Sequence, residues 1–179
     1  MEQEKQLKKV EFPGIPGQKP KIHKISNPIE LDEIDRKILG FLQQNARMTA
    51  KEIAEKVFLS STSVTTRIEK LIGKGVITGF SARIDPLALG YYTKAFISLS
   101  LEPVQKKDFY PYIASCPNVI QCSCVTGDYS MLIEVAFHNT VELDYFIGEL
   151  QKFGNTKTLI VFSTSVTHRE SYWVEESDL

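Results

Sequence analysis

The chain has 179 residues, of which 42% are hydrophobic and 24% charged, a composition typical of an ordinary globular protein with one large or two small domains. No apolar run approaches the ~18–20 residues of a membrane span, and residues 1–6 lack the apolar core of a secretory signal. We therefore expect a cytoplasmic protein without a membrane partner.

The net charge of −1 conceals an uneven distribution. Residues 31–84 carry nine Lys and Arg against six Asp and Glu, whereas residues 85–179 carry six against twelve. This asymmetry indicates that one part of the chain meets a polyanion and that the other part does not. Residues 1–30 contain four prolines and scattered lysines without a sustained period. They predict a flexible arm, either a tether or a contact for DNA phosphates or a partner subunit.

The next segment, residues 31–84, has the pattern of three short helices followed by a wing. Apolar residues at three- and four-residue steps predict the first helix: Leu31, Ile34, Ile38 and Leu42. Residues 49–52 read TAKE, which fits a capping box at the start of the second helix. Ser60 is a good N-cap for the third helix, which ends near Gly73. Residues 76–84 predict a wing or linker strand, so the segment has the pattern of a winged helix-turn-helix.

After a linker at residues 85–91, the hydrophobic period becomes two, which predicts a strand. Ala95, Ile97, Leu99 and Leu101 alternate with polar residues. The following elements are predicted as a helix at 106–116 broken early by Pro111, strands at 119–126 and 130–138 around a Gly127-Asp128 turn, a helix over 143–150, and a strand at 158–167. The order β-α-β-β-α-β is that of a ferredoxin-like domain over residues 92–169, followed by a tail at 170–179. The chain is therefore predicted to be α+β.

A four-stranded antiparallel sheet with both helices on one side leaves its other face bare. A second copy of the chain is the simplest cover for such a face. We therefore expect a homodimer.

The third helix carries the residues that point to a function. Its polar side is rich in hydroxyl groups, and with its cap it comprises Ser60, Ser61, Thr62, Ser63, Thr65, Thr66, Arg67 and Lys70. In a helix-turn-helix this helix lies in the major groove of double-stranded DNA, with its first residues at the base edges. Short hydroxyl side chains bind bases or phosphates without holding the helix away. We expect Arg67 and Lys70 to reach guanine or the backbone, and Arg47 joins the predicted DNA contacts. The alternative is a solvated helix face, although so many poor helix formers favour a use other than stability.

No pattern in the chain predicts a catalytic site, a cofactor site or a metal site. Cys116, Cys122 and Cys124 have no zinc-like spacing, and Cys122 and Cys124 should share one face of a strand. We interpret them as half-buried thiols, with a redox or inter-subunit role as the alternative. The histidines and carboxylates show no ligand spacing or acid/base pairing.

One family shares these motifs in the same order. Residues 59–71, LSSTSVTTRIEKL, with GVI at 75–77 and ARIDP at 82–86, closely resemble the leucine-responsive (Lrp/AsnC) regulators of bacteria and archaea. Residues 31–39, LDEIDRKIL, resemble the family's first helix, and residues 125–129, VTGDY, a turn motif of its C-terminal effector and oligomerisation domain. The resemblance spans residues 31–169. It implies a transcription regulator and not an enzyme.

The resemblance also implies partners and an effector site. Family members form dimers through their C-terminal sheets, often assemble into tetramers or octamers, and bind palindromic DNA. Many bind an amino acid near the turn that corresponds here to Gly127, Asp128, Tyr129 and Ser130. Four positions depart from the family's usual residues: Phe58 replaces a common glycine, Thr66 and Glu69 occupy often basic positions, and Ser130 replaces a common aspartate.

Two other functions compete with this prediction. One is a non-specific architectural DNA-binding protein, which would show a small specificity ratio and a steep salt dependence. The other is a tetrapyrrole decarboxylase, because decarboxylases of haem biosynthesis resemble this architecture.

Overall fold

The computed structural model of the chain describes residues 29–168. Almost all of the predicted arm at 1–30, and the whole predicted tail at 170–179, lie outside the described residues. The described residues divide into two compact units. Residues 84–165 form the C-terminal unit, and residues 29–83 with 166–168 form the N-terminal unit. Within residues 29–168 no helix is long and apolar enough to cross a membrane.

The N-terminal unit contains three helices, α1 (Glu33–Gln44), α2 (Ala50–Val57) and α3 (Ser61–Gly73). A side-chain oxygen caps each helix start by accepting a backbone N–H: Asp32 from Asp35, Thr49 from Glu52, and Ser60 from Ser63. Such caps satisfy backbone donors that have no partner within the helix. The capping box predicted at 49–52 is confirmed, because the Glu52 carboxylate also accepts the Thr49 N–H at 2.6 Å.

One apolar face of each helix forms the core of this unit. Its buried members are Ile38, Leu39, Phe41, Ile53, Ala54, Val57, Val64 and Leu71. The predicted three-helix pattern with a short turn before the third helix is confirmed.

The strand predicted at 76–84 is wrong. These residues contain no strand, and residues 78–84 are exposed. Their β-branched content is typical of strands, but β-propensity measures how well side chains pack on a sheet. No strand in the described part of the chain pairs with this segment. The N–H groups of Val76 and Ile77 instead donate to the Leu71 carbonyl and close the end of α3.

The C-terminal unit has the predicted ferredoxin-like order of elements. It contains β1 (Thr93–Leu101), α4 (Lys106–Ser115), β2 (Val119–Cys124), β3 (Met131–Phe137), α5 (Thr140–Leu150) and β4 (Gly154–Ile160). The strands lie in the order β2-β3-β1-β4, and every neighbouring pair is antiparallel. The predicted alternation in β1 is confirmed, because every second side chain from Thr93 to Leu101 is buried. These side chains pack with α4 and α5 in one core.

Two predicted elements of this unit are wrong in detail. Pro111 lies inside α4 without breaking it. Proline removes only one helical hydrogen bond, while Phe109 and Ile113 on either side of it are buried in the core and hold the helix in place. The last strand runs over Gly154–Ile160, whereas the prediction was 158–167. Gly154 and Asn155 are poor strand formers, but pairing with Leu101 and Ser100 of β1 places them in the sheet.

Candidate nucleic-acid interface

The outward face of α3 is a continuous row of polar side chains. Val64 and Leu71 are buried in the core, and on the opposite side Thr62, Thr66 and Glu69 are exposed at three- and four-residue steps. Residues at this spacing lie above one another on a helix surface. Ser61 and Thr65 flank the row and are also exposed. The predicted hydroxyl-rich surface therefore faces away from the rest of its unit.

Hydrogen bonds in α3 and its cap give several of the hydroxyl groups a local partner. Thr65 and Thr66 each donate a hydroxyl proton to the carbonyl four residues earlier, at 3.0 Å. The hydroxyls of Ser60 and Ser63 lie 2.8 Å apart. The oxygens of Thr65 and Thr66 keep their acceptor lone pairs for an external donor. Among residues 29–168, the hydroxyls of Ser61 and Thr62 have no recorded partner, so they are the freest hydroxyls at the start of α3.

The electrostatics at the start of α3 suit an anion. The first turn contains no acidic residue, and the N-terminal end of a helix carries a partial positive charge with N–H groups available to phosphates. Lys70 and the predicted contact Arg47 are exposed and form no ion pair with another described residue. Arg47 lies in the turn between α1 and α2, where its N–H donates to Asn45 Oδ1 at 3.0 Å. Glu69 opposes this charge on the same helix.

Arg67 differs from the rest of the predicted set. Its Nη1 donates to Asp32 Oδ2 at 2.6 Å and to Asp35 Oδ1 at 2.7 Å, and its side chain is only 31% exposed. The hydrogen bond from the Asp35 N–H, and then that from Arg67, lower the pKa of Asp32; the two carboxylates raise the pKa of Arg67. The structure therefore places the guanidinium between α3 and the start of α1. No local pattern signals this contact, because its partners are 32 and 35 residues away.

Phe58 occupies the corner between α2 and α3. Its backbone is left-handed, with φ 55° and ψ 44°, and its side chain is 93% exposed. The departure from the family's common glycine therefore does not remodel the corner. Phenylalanine adopts this left-handed conformation with strain, whereas glycine would adopt it without strain.

The predicted effector residues lie in the loop that joins β2 to β3. Gly127 has φ 115°, a conformation that favours glycine, and Asp128 beside it is exposed. Ser130 is committed to the sheet, because its hydroxyl accepts the Leu101 N–H at 2.9 Å and its own N–H donates to the Leu99 carbonyl. Within the described chain, the backbone N–H groups of residues 126–129, Tyr129 included, have no recorded partner. The loop thus offers one carboxylate and several free backbone donors.

Comparisons with known proteins identify both units. Residues 31–78 match a family model described as winged helix-turn-helix DNA-binding, and residues 94–171 match the Lrp/AsnC ligand binding domain. The HTH-type transcriptional regulator LrpA of Bacillus subtilis is 36% identical over 132 residues, which cover 73% of this chain and 97% of that protein. The chain belongs to the Lrp/AsnC family.

Solved structures of this family have the same fold. The structure of E. coli AsnC aligns with a TM-score of 0.73 and 27% identity, covering 79% of this chain and 99% of that one. A feast or famine regulatory protein from M. tuberculosis, complexed with L-methionine, aligns with a TM-score of 0.74 and 29% identity, covering 80% and 99%. The fold, a winged helix-turn-helix unit followed by an α+β unit, is therefore that of Lrp/AsnC regulators.

In the C-terminal unit of this Lrp/AsnC chain, α4 and α5 both pack on the same face of the sheet and leave its other face without a helix of this unit. Apolar side chains lie on it, Phe96 half-buried and Leu132 and Leu159 exposed. Lys94 and Glu134 form an ion pair at 2.6 Å beside them. The face therefore combines exposed apolar surface with compensated charge.

Cys116 and Cys122 are half-buried, as predicted, whereas Cys124 is exposed and the prediction of a half-buried thiol is wrong for it. Cys122 and Cys124 share one side of β2, as predicted, because they pair with Ile133 and Met131. Burial raises the pKa of the Cys122 thiol to about 11 and also raises that of Cys116, and the thiolate is the reactive form of cysteine. Over residues 29–168, no three His, Cys, Asp or Glu side chains are grouped to hold a metal ion.

Proposed function

We propose that this Lrp/AsnC regulator binds a palindromic DNA site as a homodimer, with α3 of each copy in the major groove. The observation that carries the proposal is the exposed, hydroxyl-rich outward face of α3, whose first turn contains no acidic residue. A dimer would present two such helices to half-sites about 34 Å, one helical turn, apart. We place its action in the cytoplasm, where the DNA of bacteria and archaea lies.

The contacts of these residues support different roles for different members of the predicted set. Ser61, Thr62, Thr65 and Thr66 project outward and would meet base edges. Ser60 and Ser63 would hold the helix start, whose N–H groups would face a phosphate. Lys70 and Arg47 would bind the backbone, and Arg67 would position α3 through Asp32 and Asp35.

A Thr62→Asp substitution tests this interface. We expect its affinity for the operator to fall about tenfold, or 1.4 kcal/mol, because a carboxylate at the groove would repel phosphates and lose a hydroxyl contact. The operator is first selected from a random DNA pool, and affinity is then measured by fluorescence anisotropy at fixed salt.

The matched control is Thr140→Asp, which adds the same charge at an exposed position of the C-terminal unit. It should leave the affinity unchanged. Equal losses for both variants, or no loss for Thr62→Asp, would contradict the placement of α3. A wild-type protein that binds operator and random duplex equally, with a steep salt slope, would favour the architectural alternative.

We also propose that an amino acid binds at the 125–130 loop. The carboxylate of Asp128 would accept hydrogen bonds from the α-ammonium group of the amino acid. Free backbone N–H groups of residues 126–129 would donate hydrogen bonds to its α-carboxylate. The support is the match to a ligand binding domain over this unit and the L-methionine complex of the M. tuberculosis relative. Bound ligand would favour one arrangement of dimers and thereby alter DNA affinity.

Calorimetric titration with a panel of amino acids, L-methionine first, tests the effector site. Asp128→Asn should weaken binding at least about tenfold, because a charge-assisted hydrogen bond is worth 1.5–3 kcal/mol. Asp144→Asn, an exposed carboxylate on α5, should leave binding unchanged. Binding by no amino acid in the panel would reject this second proposal without affecting the first.

A further inference from the structure

Phe58 combines two features that are unfavourable for the isolated chain. It is the only non-glycine residue with a positive φ among residues 29–168, and for a bulky residue such a backbone is a rare, strained conformation. It is also 93% exposed, the largest exposed fraction of any large apolar residue in the described N-terminal unit.

Nothing within the unit compensates for these features. The Phe58 N–H donates to the Ala54 carbonyl and ends α2, a role that a glycine would fill without strain. The ring has no recorded aromatic partner and does not belong to the core. A strained residue that brings no internal stability is a reason to look for a function, and the surface of the ring faces solvent.

The position of Phe58 indicates what the ring contacts. It lies two residues before the Ser60 cap of α3, and the first residues of such a helix meet the base edges. An aromatic ring has no hydrogen-bonding group for phosphates. The apolar group that base pairs present in the major groove is the C5-methyl group of thymine.

We propose that Phe58 is a specificity-determining residue whose ring packs against a thymine methyl group at the edge of each half-site. The proposal rests on the proposed DNA-binding function. It predicts a required A·T pair at that position, and it gives a physical reason for an aromatic side chain where glycine would fold better.

The first experiment separates the two effects of the side chain with three full-length variants. Phe58→Gly should raise the Tm by about 2–5 °C, because it relieves the left-handed strain, and yet weaken operator binding about fivefold to tenfold. Phe58→Asn, which is also compatible with this backbone, should weaken operator binding to the same extent as Phe58→Gly. Phe58→Leu, which keeps apolar bulk, should bind within about threefold of the wild type.

The second experiment replaces each operator thymine in turn by deoxyuridine, which lacks only the methyl group. Replacement at one symmetric pair of positions should weaken operator binding by the wild type severalfold. It should leave binding by the Phe58→Gly variant unchanged, because that variant has already lost the contact. Such coupling between a protein change and a DNA change identifies a direct interaction.

Other outcomes overturn the proposal. A lowered Tm for Phe58→Gly would mean that the ring packs on its own chain, and a changed oligomer mass would mean that it contacts a second copy. Equal weakening on operator and random duplex would place the ring on the DNA backbone. If the wild type binds no duplex, the proposed function itself fails; if it binds and Phe58→Gly binds equally well, only the role of Phe58 fails.

Discussion

Replacing Gly154 by alanine is expected to destabilise the C-terminal unit strongly. A Cβ atom there would lie 1.9 Å from the backbone oxygen of Ser100, and φ is 153°. Backbone atoms of a central strand cannot move aside as a flexible side chain can. We expect a loss of about 3–5 kcal/mol from overpacking and backbone strain together, a large part of the 5–15 kcal/mol by which domains are stable. Urea unfolding followed by circular dichroism measures it.

The close approach at Gly154 follows from the sheet register. Gly154 begins β4 directly opposite Leu101, and the Glu102 N–H donates to the Phe153 carbonyl beside it. The control is Gly148→Ala in α5, where a Cβ would have no neighbour within 4 Å. This substitution should stabilise the unit by up to about 1 kcal/mol, because glycine is unfavourable in a helix. Wild-type stability of Gly154→Ala would contradict the β1–β4 register.

The elements that could be predicted are those whose cause is local. The capping box at Thr49, the N-cap at Ser60 and the burial period of β1 each lie within a few residues of the structure they determine. Local signals of this kind agree with the fold throughout the first three helices and the β2–β3 hairpin. The hydroxyl-rich face of α3 could be predicted for the same reason, since it depends only on helical spacing.

The errors arise where a distant partner decides. Pro111 remains helical because its neighbours are buried against the sheet, and Gly154 enters a strand because β1 pairs with it. Residues 76–84 lack a strand because a strand needs a partner that the described chain does not supply. The ion pairs of Arg67 are a contact that its position on α3 alone does not predict, and its contact with DNA stays a prediction. Its carboxylate partners lie on another helix, and only the three-dimensional packing of α1 against α3 brings them together.

Replacing Arg67 by alanine is expected to weaken operator binding about 30-fold, or 2 kcal/mol. The main reason is that α3 would lose its ion pairs with the start of α1. Arg67 bridges Asp32 and Asp35 at 2.6 and 2.7 Å, so its loss leaves two neighbouring carboxylates without their cation. The N-terminal unit should also lose about 1–2 kcal/mol of stability, a partly exposed hydrogen-bonded pair being worth less than a buried one. Anisotropy titration and urea unfolding of the same full-length preparation measure both losses.

The variant that decides between positioning and direct contact is Asp35→Asn. It removes a negative charge, which by electrostatics alone would tighten binding to a polyanion. If Arg67 acts by anchoring α3, affinity should instead fall about fivefold, or 1 kcal/mol, with a matching loss of stability. Lys37→Ala, which removes a partly exposed ion pair with Glu33 within α1, should change each quantity by no more than a few tenths of a kcal/mol. Tighter DNA binding by Asp35→Asn, together with an unaltered stability of Arg67→Ala, would contradict the positioning role and indicate that the Arg67 guanidinium contacts DNA directly.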